Sequence, residues 1–220
     1  MVIYLDSADL SQMVEFEDRV QGFTTNPTLI RKARVSDYLS FARMVSSRFC
    51  TKPISLEVIS DDFSEMERQA KLLASLGSNV IVKIPITNSK GESSLRLIER
   101  LEGIPLNITA VFTVEQARSL IPYKPAIVSI FAGRIADTGV NPQDIVYEAS
   151  WSKSPESQIL WASAREILNF WHASEARADI ITLNPELLSK LHLKGKDLTE
   201  YSKETAAMFY NDAQKAGYVL

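Results

Sequence analysis

Short apolar runs recur along the chain at 2–6, 21–25, 53–59, 79–84, 104–110, 125–131, 157–163 and 179–183, each bounded by Gly, Pro, Asn, Asp or Ser, as strands usually are. Between them, apolar residues return at helical spacing. The clearest case is Ser60 to Leu76, where Phe63, Met66, Ala70, Leu73 and Ala74 repeat with charges between them. Thr113-Val114-Glu115-Gln116 reads as a capping box that opens another helix.

Eight strand-like runs alternating with helices predict a parallel α/β protein. An open doubly wound sheet usually has about five or six strands and a Gly-rich first turn. This chain has eight runs and no G-x-G-x-x-G. A (β/α)8 TIM barrel needs eight units and about 250 residues, with about 200 near the lower limit. The 220 residues therefore fit one compact barrel domain over 1–220. Residues 195–220 form an extra C-terminal helix, with Leu198, Tyr201, Thr205, Met208 and Phe209 as its apolar face. That helix is expected to pack on its own barrel or on a neighbouring subunit. No linker or low-complexity segment interrupts the chain.

Composition narrows the class of protein. The chain is 45% hydrophobic and 23% charged, with a net charge of −3. No overall basic excess points to nucleic acid or to an anionic membrane. The N-terminal stretch lacks a basic leader, and no run approaches the roughly 20 apolar residues of a membrane span. The single cysteine, Cys50, has no partner for an internal disulfide. A cytoplasmic protein is expected.

Several runs carry polar residues near their C-terminal ends, where barrel strands are normally Val-, Ile- and Leu-rich. The first ends in Asp6; the second gives Thr24, Thr25 and Asn26 before Pro27. The third carries Glu57, the fourth Lys83, and the fifth Asn107 and Thr109. The sixth carries Ser129 with Arg134 beyond its end, and the seventh carries Ser163 with Arg165 two residues on. Alternation along a strand puts Val80, Val82 and Ile84 outward and Lys83 inward beside Ile81. The same parity turns Ser55, Glu57 and Ile59 inward, and gives Asn107 and Thr109 one face. Taken singly, Lys83 is a strand-end lysine with a buried stem or the partner of Asp6 or Glu57 in a structural ion pair. Taken together, six or seven strands contribute polar groups at similar depth, on the face where barrel enzymes keep their chemistry.

One lysine, two carboxylates and small polar groups suit a particular chemistry. An amine enclosed by apolar walls is nucleophilic near neutral pH and can condense with a ketone to an iminium. Carboxylates can move protons to and from hydroxyls and water. Arg134 and Arg165 can bind a phosphate through paired charge-assisted bonds. No His, Cys and carboxylate group has metal-ligand spacing, and His172 and His192 are isolated. Schiff-base aldol chemistry without a metal or other cofactor is expected.

The segments Tyr4-Leu5-Asp6-Ser7-Ala8-Asp9, Gly22-Phe23-Thr24-Thr25-Asn26-Pro27-Thr28 and Val80-Ile81-Val82-Lys83-Ile84-Pro85 resemble the small transaldolases and fructose-6-phosphate aldolases. The likeness continues through Ile159-Leu160-Trp161-Ala162-Ser163 and Ile180-Ile181-Thr182-Leu183. It implies a (β/α)8 barrel with Lys83 as the Schiff-base lysine and Asp6 as the acid/base at the cleaved C–C bond. Asn26, Asn107 and Ser129 match positions that hold the dihydroxyacetone unit. Arg134, Ser163 and Arg165 match the phosphate site. A homo-oligomer, pentamer or decamer, is implied, with the C-terminal helix reaching a neighbour.

Two branches differ within that family. The fructose-6-phosphate aldolases carry Gln on the third strand and Tyr on the sixth; this chain has Glu57 and Phe131. Together with Asn107-Ile108-Thr109 and Ser163-Ala164-Arg165, these resemble transaldolases. Glu57 and Thr109 would hold a water for proton transfers. Phe131 has no hydroxyl to protonate a carbanion, which favours transfer over release. The expected substrates are fructose 6-phosphate as donor and erythrose 4-phosphate as acceptor. Trp161, Ala164 and a short loop at 133–139 depart from the family pattern and are expected to reshape the pocket mouth, so that a sugar with another anionic tail becomes an alternative. The remaining alternatives are an aldolase that releases dihydroxyacetone, and an inactive barrel that only binds a sugar phosphate.

Overall fold

The computed structural model describes residues 1–219; Leu220, the end of the expected C-terminal segment, lies outside the described residues. Residues Met1–Leu188 form one compact unit, and a second begins at Ser189. In the first unit eight parallel strands close into a barrel in chain order. They are β1 (Val2–Asp6), β2 (Gly22–Thr24), β3 (Ile54–Glu57), β4 (Val80–Pro85), β5 (Leu106–Val111), β6 (Ile127–Ile130), β7 (Gln158–Trp161) and β8 (Ile180–Leu183). Ring closure runs through β1 and β8, with Tyr4 opposite Thr182.

The outer side of the barrel follows the alternation in the sequence. Val80, Val82 and Ile84 are buried, as packing of β4 beneath its helices requires. The helix Phe63–Ala74 turns Met66, Ala70 and Leu73 inward, and Asp62 caps it by accepting from Glu65 N at 2.9 Å. Burying a large apolar side chain of this kind contributes about 1.5–3 kcal/mol. Thr113 and Gln116 form the reciprocal capping box of the helix Val114–Ser119.

The lumen is apolar below and polar above. Tyr4, Ile127, Leu160 and Ile180 pack together with Ile81 against them. On β1, β4, β6 and β8 the inward residues two positions further on are Asp6, Lys83, Ser129 and Thr182. Gly22 is glycine because the Tyr4 ring covers it: a Cβ there would lie 2.6–2.8 Å from ring carbons.

Three strand ends differ from the hydrophobic pattern. Strand β3 stops at Glu57, and Ile59, expected inside, is 61% exposed. The backbone N–H groups of Ile59 and Ser60 leave the sheet to donate to Gln69 Oε1. Strand β7 stops at Trp161, and Ser163 beyond it takes a left-handed conformation at φ 64°. In β5, Ala110 takes φ 56°, and the β5–β6 register shifts between Ile108 and Val111. Such bulges re-aim side chains at barrel rims.

The segment 133–139, expected as a short loop, instead belongs largely to the helix Ala132–Ala136. The C-terminal unit contains the helix Leu198–Ala216, capped by Asp197 and ended by Gly217 at φ 67°. No residue of that helix is buried; Leu198, Tyr201, Met208 and Phe209 are all exposed. Among the described residues no helix is long and apolar enough to cross a membrane.

Candidate active site

A cavity of about 340 Å³ opens at the C-terminal ends of the strands. Ten of the residues singled out in the sequence line it: Asp6, Thr24, Asn26, Glu57, Lys83, Thr109, Ser129, Phe131, Arg134 and Ser163. Thr25, Asn107 and Arg165 do not.

Lys83 stands at its centre and is only 5% exposed. It lies opposite Glu57 in the β3–β4 register. Its Nζ is 3.1 Å from Glu57 Oε2 and donates to the Thr25 carbonyl oxygen at 2.7 Å. An ammonium has three donors, and the Thr25 carbonyl takes one of them. The backbone carbonyl of Glu57 accepts from the Tyr38 hydroxyl at 2.8 Å. Burial, and next the Glu57 charge, push the Tyr38 phenol well above its ordinary value.

Asp6 enters from β1. Its Oδ1 accepts from Thr24 Oγ1 at 2.8 Å. Burial raises the Asp6 carboxyl above its ordinary value; the Lys83 charge and the Thr24 hydrogen bond pull it down, and the Glu57 charge pushes it up. The dominant desolvation makes Asp6 a better proton acceptor than an exposed aspartate.

Asn26 explains the Thr25-Asn26-Pro27 sequence. Its Oδ1 caps the helix Pro27–Lys32 by accepting from Leu29 N at 3.0 Å, with Pro27 in the first turn. Proline fits there because its missing N–H would have had no helical partner. Asn26 also lines the cavity. Asn107 sits beneath the floor, donating to Ser55 Oγ at 3.0 Å and accepting from Ser129 Oγ at 2.6 Å. Its amide thereby fixes Ser129. Thr109, carried by the bulged strand β5, has a buried hydroxyl with no protein partner. A buried polar atom of that kind calls for water or ligand.

Phe131 and Arg134 form one wall. The Arg134 guanidinium lies over the Phe131 ring at 5.5 Å, and Phe131 packs on Phe112 with ring centroids 5.7 Å apart. Gly133 lets this wall approach β7: a Cβ there would overlap the Ser163 carbonyl oxygen. Arg165, expected beside Arg134, is drawn into an ion pair with Asp137 at 2.7 Å. Trp161, expected near the mouth, is fully buried with its ring 6.5 Å from His172 of the helix Leu168–Glu175. Its parity is opposite to that of Leu160 and Ala162, which line the cavity.

Four residues at or around the cavity were not singled out for their chemistry. Thr182 was visible by parity, as the polar residue of Ile180-Ile181-Thr182-Leu183. Ser55 shares the inward face of Glu57. Tyr38 comes from the helix Tyr38–Arg48, and Ala110 from a conformation the sequence does not announce.

Fold and cavity define a parallel (β/α)8 barrel with a buried lysine and two carboxylates lining one cavity at the C-terminal ends of the strands. The family model described as Transaldolase/Fructose-6-phosphate aldolase matches residues 3–219. The chain is 33% identical over 197 residues to a probable transaldolase of Nitrosopumilus maritimus (strain SCM1), covering 87% of each chain. It is 30% identical over 222 residues to a probable transaldolase of Bartonella tribocorum (strain CIP 105476 / IBS 506), covering 99% of this chain and 98% of the relative. The chain belongs to the transaldolase/fructose-6-phosphate aldolase family. Its fold is also shared with a 3-hexulose-6-phosphate synthase from Salmonella typhimurium, at TM-score 0.60 and 13% identity over 84% of this chain and 89% of that one.

Proposed function

We propose that the protein is a Schiff-base transaldolase that moves a dihydroxyacetone unit from a ketose phosphate to an aldose phosphate. The observation that carries this is the buried Lys83 amine, 3.1 Å from the Glu57 carboxylate in the cavity that also receives Asp6. Glu57 takes the proton that Lys83 must lose before attack. Lys83 then adds to the C2 carbonyl of the donor, and loss of water leaves an iminium. Asp6 removes the C4 hydroxyl proton, the C3–C4 bond breaks, and its electrons pass into the iminium to give an enamine. The departing aldehyde carries the phosphate.

The enamine stays bound through the Asn26 amide and the Ser129 hydroxyl. It attacks the acceptor aldehyde, whose oxygen takes the proton back from Asp6. A water held by Glu57 and the unpartnered Thr109 hydroxyl hydrolyses the new iminium and frees Lys83. Arg134 and Ser163 at the rim suit the sugar's anionic tail. Phe131 supplies no proton near the enamine, which favours transfer over release. Fructose 6-phosphate and erythrose 4-phosphate fit as donor and acceptor. The exposed apolar face of Leu198–Ala216 suits the homo-oligomer, pentamer or decamer, expected of the family.

The test is product partition. Fructose 6-phosphate with erythrose 4-phosphate should yield a seven-carbon ketose phosphate, with little free dihydroxyacetone when the acceptor is omitted. Rapid release of dihydroxyacetone without acceptor would identify an aldolase instead.

A further inference from the structure

Thr182 of β8 has no part in the cycle above, yet it lines the cavity and is buried. Its Oγ1 lies 2.6 Å from Thr24 Oγ1, which in turn lies 2.8 Å from Asp6 Oδ1. Strand β1 stands between β2 and β8, with Tyr4 opposite both Gly22 and Thr182, and Asp6 opposite Thr24. The two threonines therefore meet across the inner face of the strand that carries Asp6.

A hydroxyl has one hydrogen to give. While Asp6 is ionised, Thr24 gives its hydrogen to the carboxylate, so the hydrogen between the threonines must come from Thr182. The chain then runs in one direction, Thr182 to Thr24 to Asp6, and each bond polarises the next. Once Asp6 holds the substrate proton it can donate to Thr24, and the direction reverses.

We propose that Thr182 is a positioning residue: acting through Thr24, it fixes the orientation and proton affinity of Asp6. This rests on the reading of Asp6 as the proton-transfer group. Other charged groups face Asp6 as well: Lys83 from β4 and Glu57 from β3 act on it directly, and Arg134 lines the same cavity from the helix Ala132–Ala136. None of them replaces the hydrogen that Thr182 supplies to Thr24.

The experiment compares wild-type, Thr182→Val and Thr182→Ser proteins. Asp6 is titrated by carbon NMR on aspartate-labelled full-length protein, with Asp6→Asn assigning the signal. The kcat and KM for fructose 6-phosphate are measured across pH, and borohydride trapping is run on each protein. Valine fills the space of threonine without a donor; serine keeps the donor without the methyl. In Thr182→Val the Asp6 titration should move up by about half a unit. Its kcat should fall about 3–10-fold with KM within about twofold. Thr182→Ser should stay near wild type. An unmoved Asp6 titration in Thr182→Val, or a serine variant as impaired as the valine one, would overturn the relay. Absence of a trapped adduct in the wild-type protein would overturn the Schiff-base reading, and with it any catalytic purpose for the relay. An adduct with an unmoved titration would overturn the relay alone.

Discussion

Glu57 and Lys83 stand opposite one another on neighbouring strands, their charged atoms 3.1 Å apart inside the barrel. A surface pair at this distance would contribute little. In the proposed cycle the pair keeps a proton acceptor beside an amine that has to lose a proton. Glu57→Gln keeps the shape and removes the acceptor. Iminium formation, followed by quenching with borohydride at short times, should slow about 10²–10⁴-fold. An unchanged rate would mean that another group takes the proton.

Asp6 gives stability a pH dependence of definite sign. Burial raises its carboxyl above the ordinary value of 3.8 in the folded protein. Between 3.8 and the raised value the folded state binds more protons than the unfolded one. Stability from this group is therefore fully present below pH 3.8 and is lost as pH rises through the raised value. Asp6→Asn should be more stable than wild type at neutral pH, and that advantage should shrink as pH falls toward the lower limit. Denaturant unfolding of both proteins across pH checks the sign.

Gly133 sets the fit between the Phe131–Arg134 wall and the end of β7. A Cβ would overlap backbone, which cannot rotate away as a side chain can. Gly133→Ala should cost about 2 kcal/mol or more in stability and should raise KM for phosphorylated ketoses by displacing Arg134. Full stability in the alanine variant would show that the wall moves freely.

The two arginines at the mouth should not be equivalent. Arg134 lines the cavity, whereas Arg165 is held by Asp137. Removing a charged hydrogen bond to a phosphate costs roughly 1.5–3 kcal/mol, so Arg134→Met should raise KM for fructose 6-phosphate about 10–100-fold. Arg165→Met should have a much smaller effect. Steady-state kinetics on phosphorylated and unphosphorylated sugars separate the two.

The barrel was legible in the sequence because its strands obey a period of two and its polar residues break the pattern at one end only. Lys83, Glu57 and Asp6 were found by that rule, and Thr182 was within its reach. Trp161 lies away from the mouth because Leu160 and Ala162 own the inner face of β7. Ile59 and the segment 133–139 differ from expectation because a strand's end and a short helix depend on contacts from distant residues, here Gln69 for the first. Neither Ala110 at φ 56° nor the Arg165–Asp137 pair has a signature in local sequence. The first belongs to the β5–β6 register, and the second joins residues that only the closed barrel brings together.

The most direct measurement is intact mass spectrometry of the protein treated with borohydride and fructose 6-phosphate, alone and with erythrose 4-phosphate. One trapped three-carbon adduct should form and map to Lys83. It should fall when the acceptor is present and be absent in Lys83→Met. An adduct retained in Lys83→Met, or none in the wild-type protein, would contradict the Schiff base on Lys83.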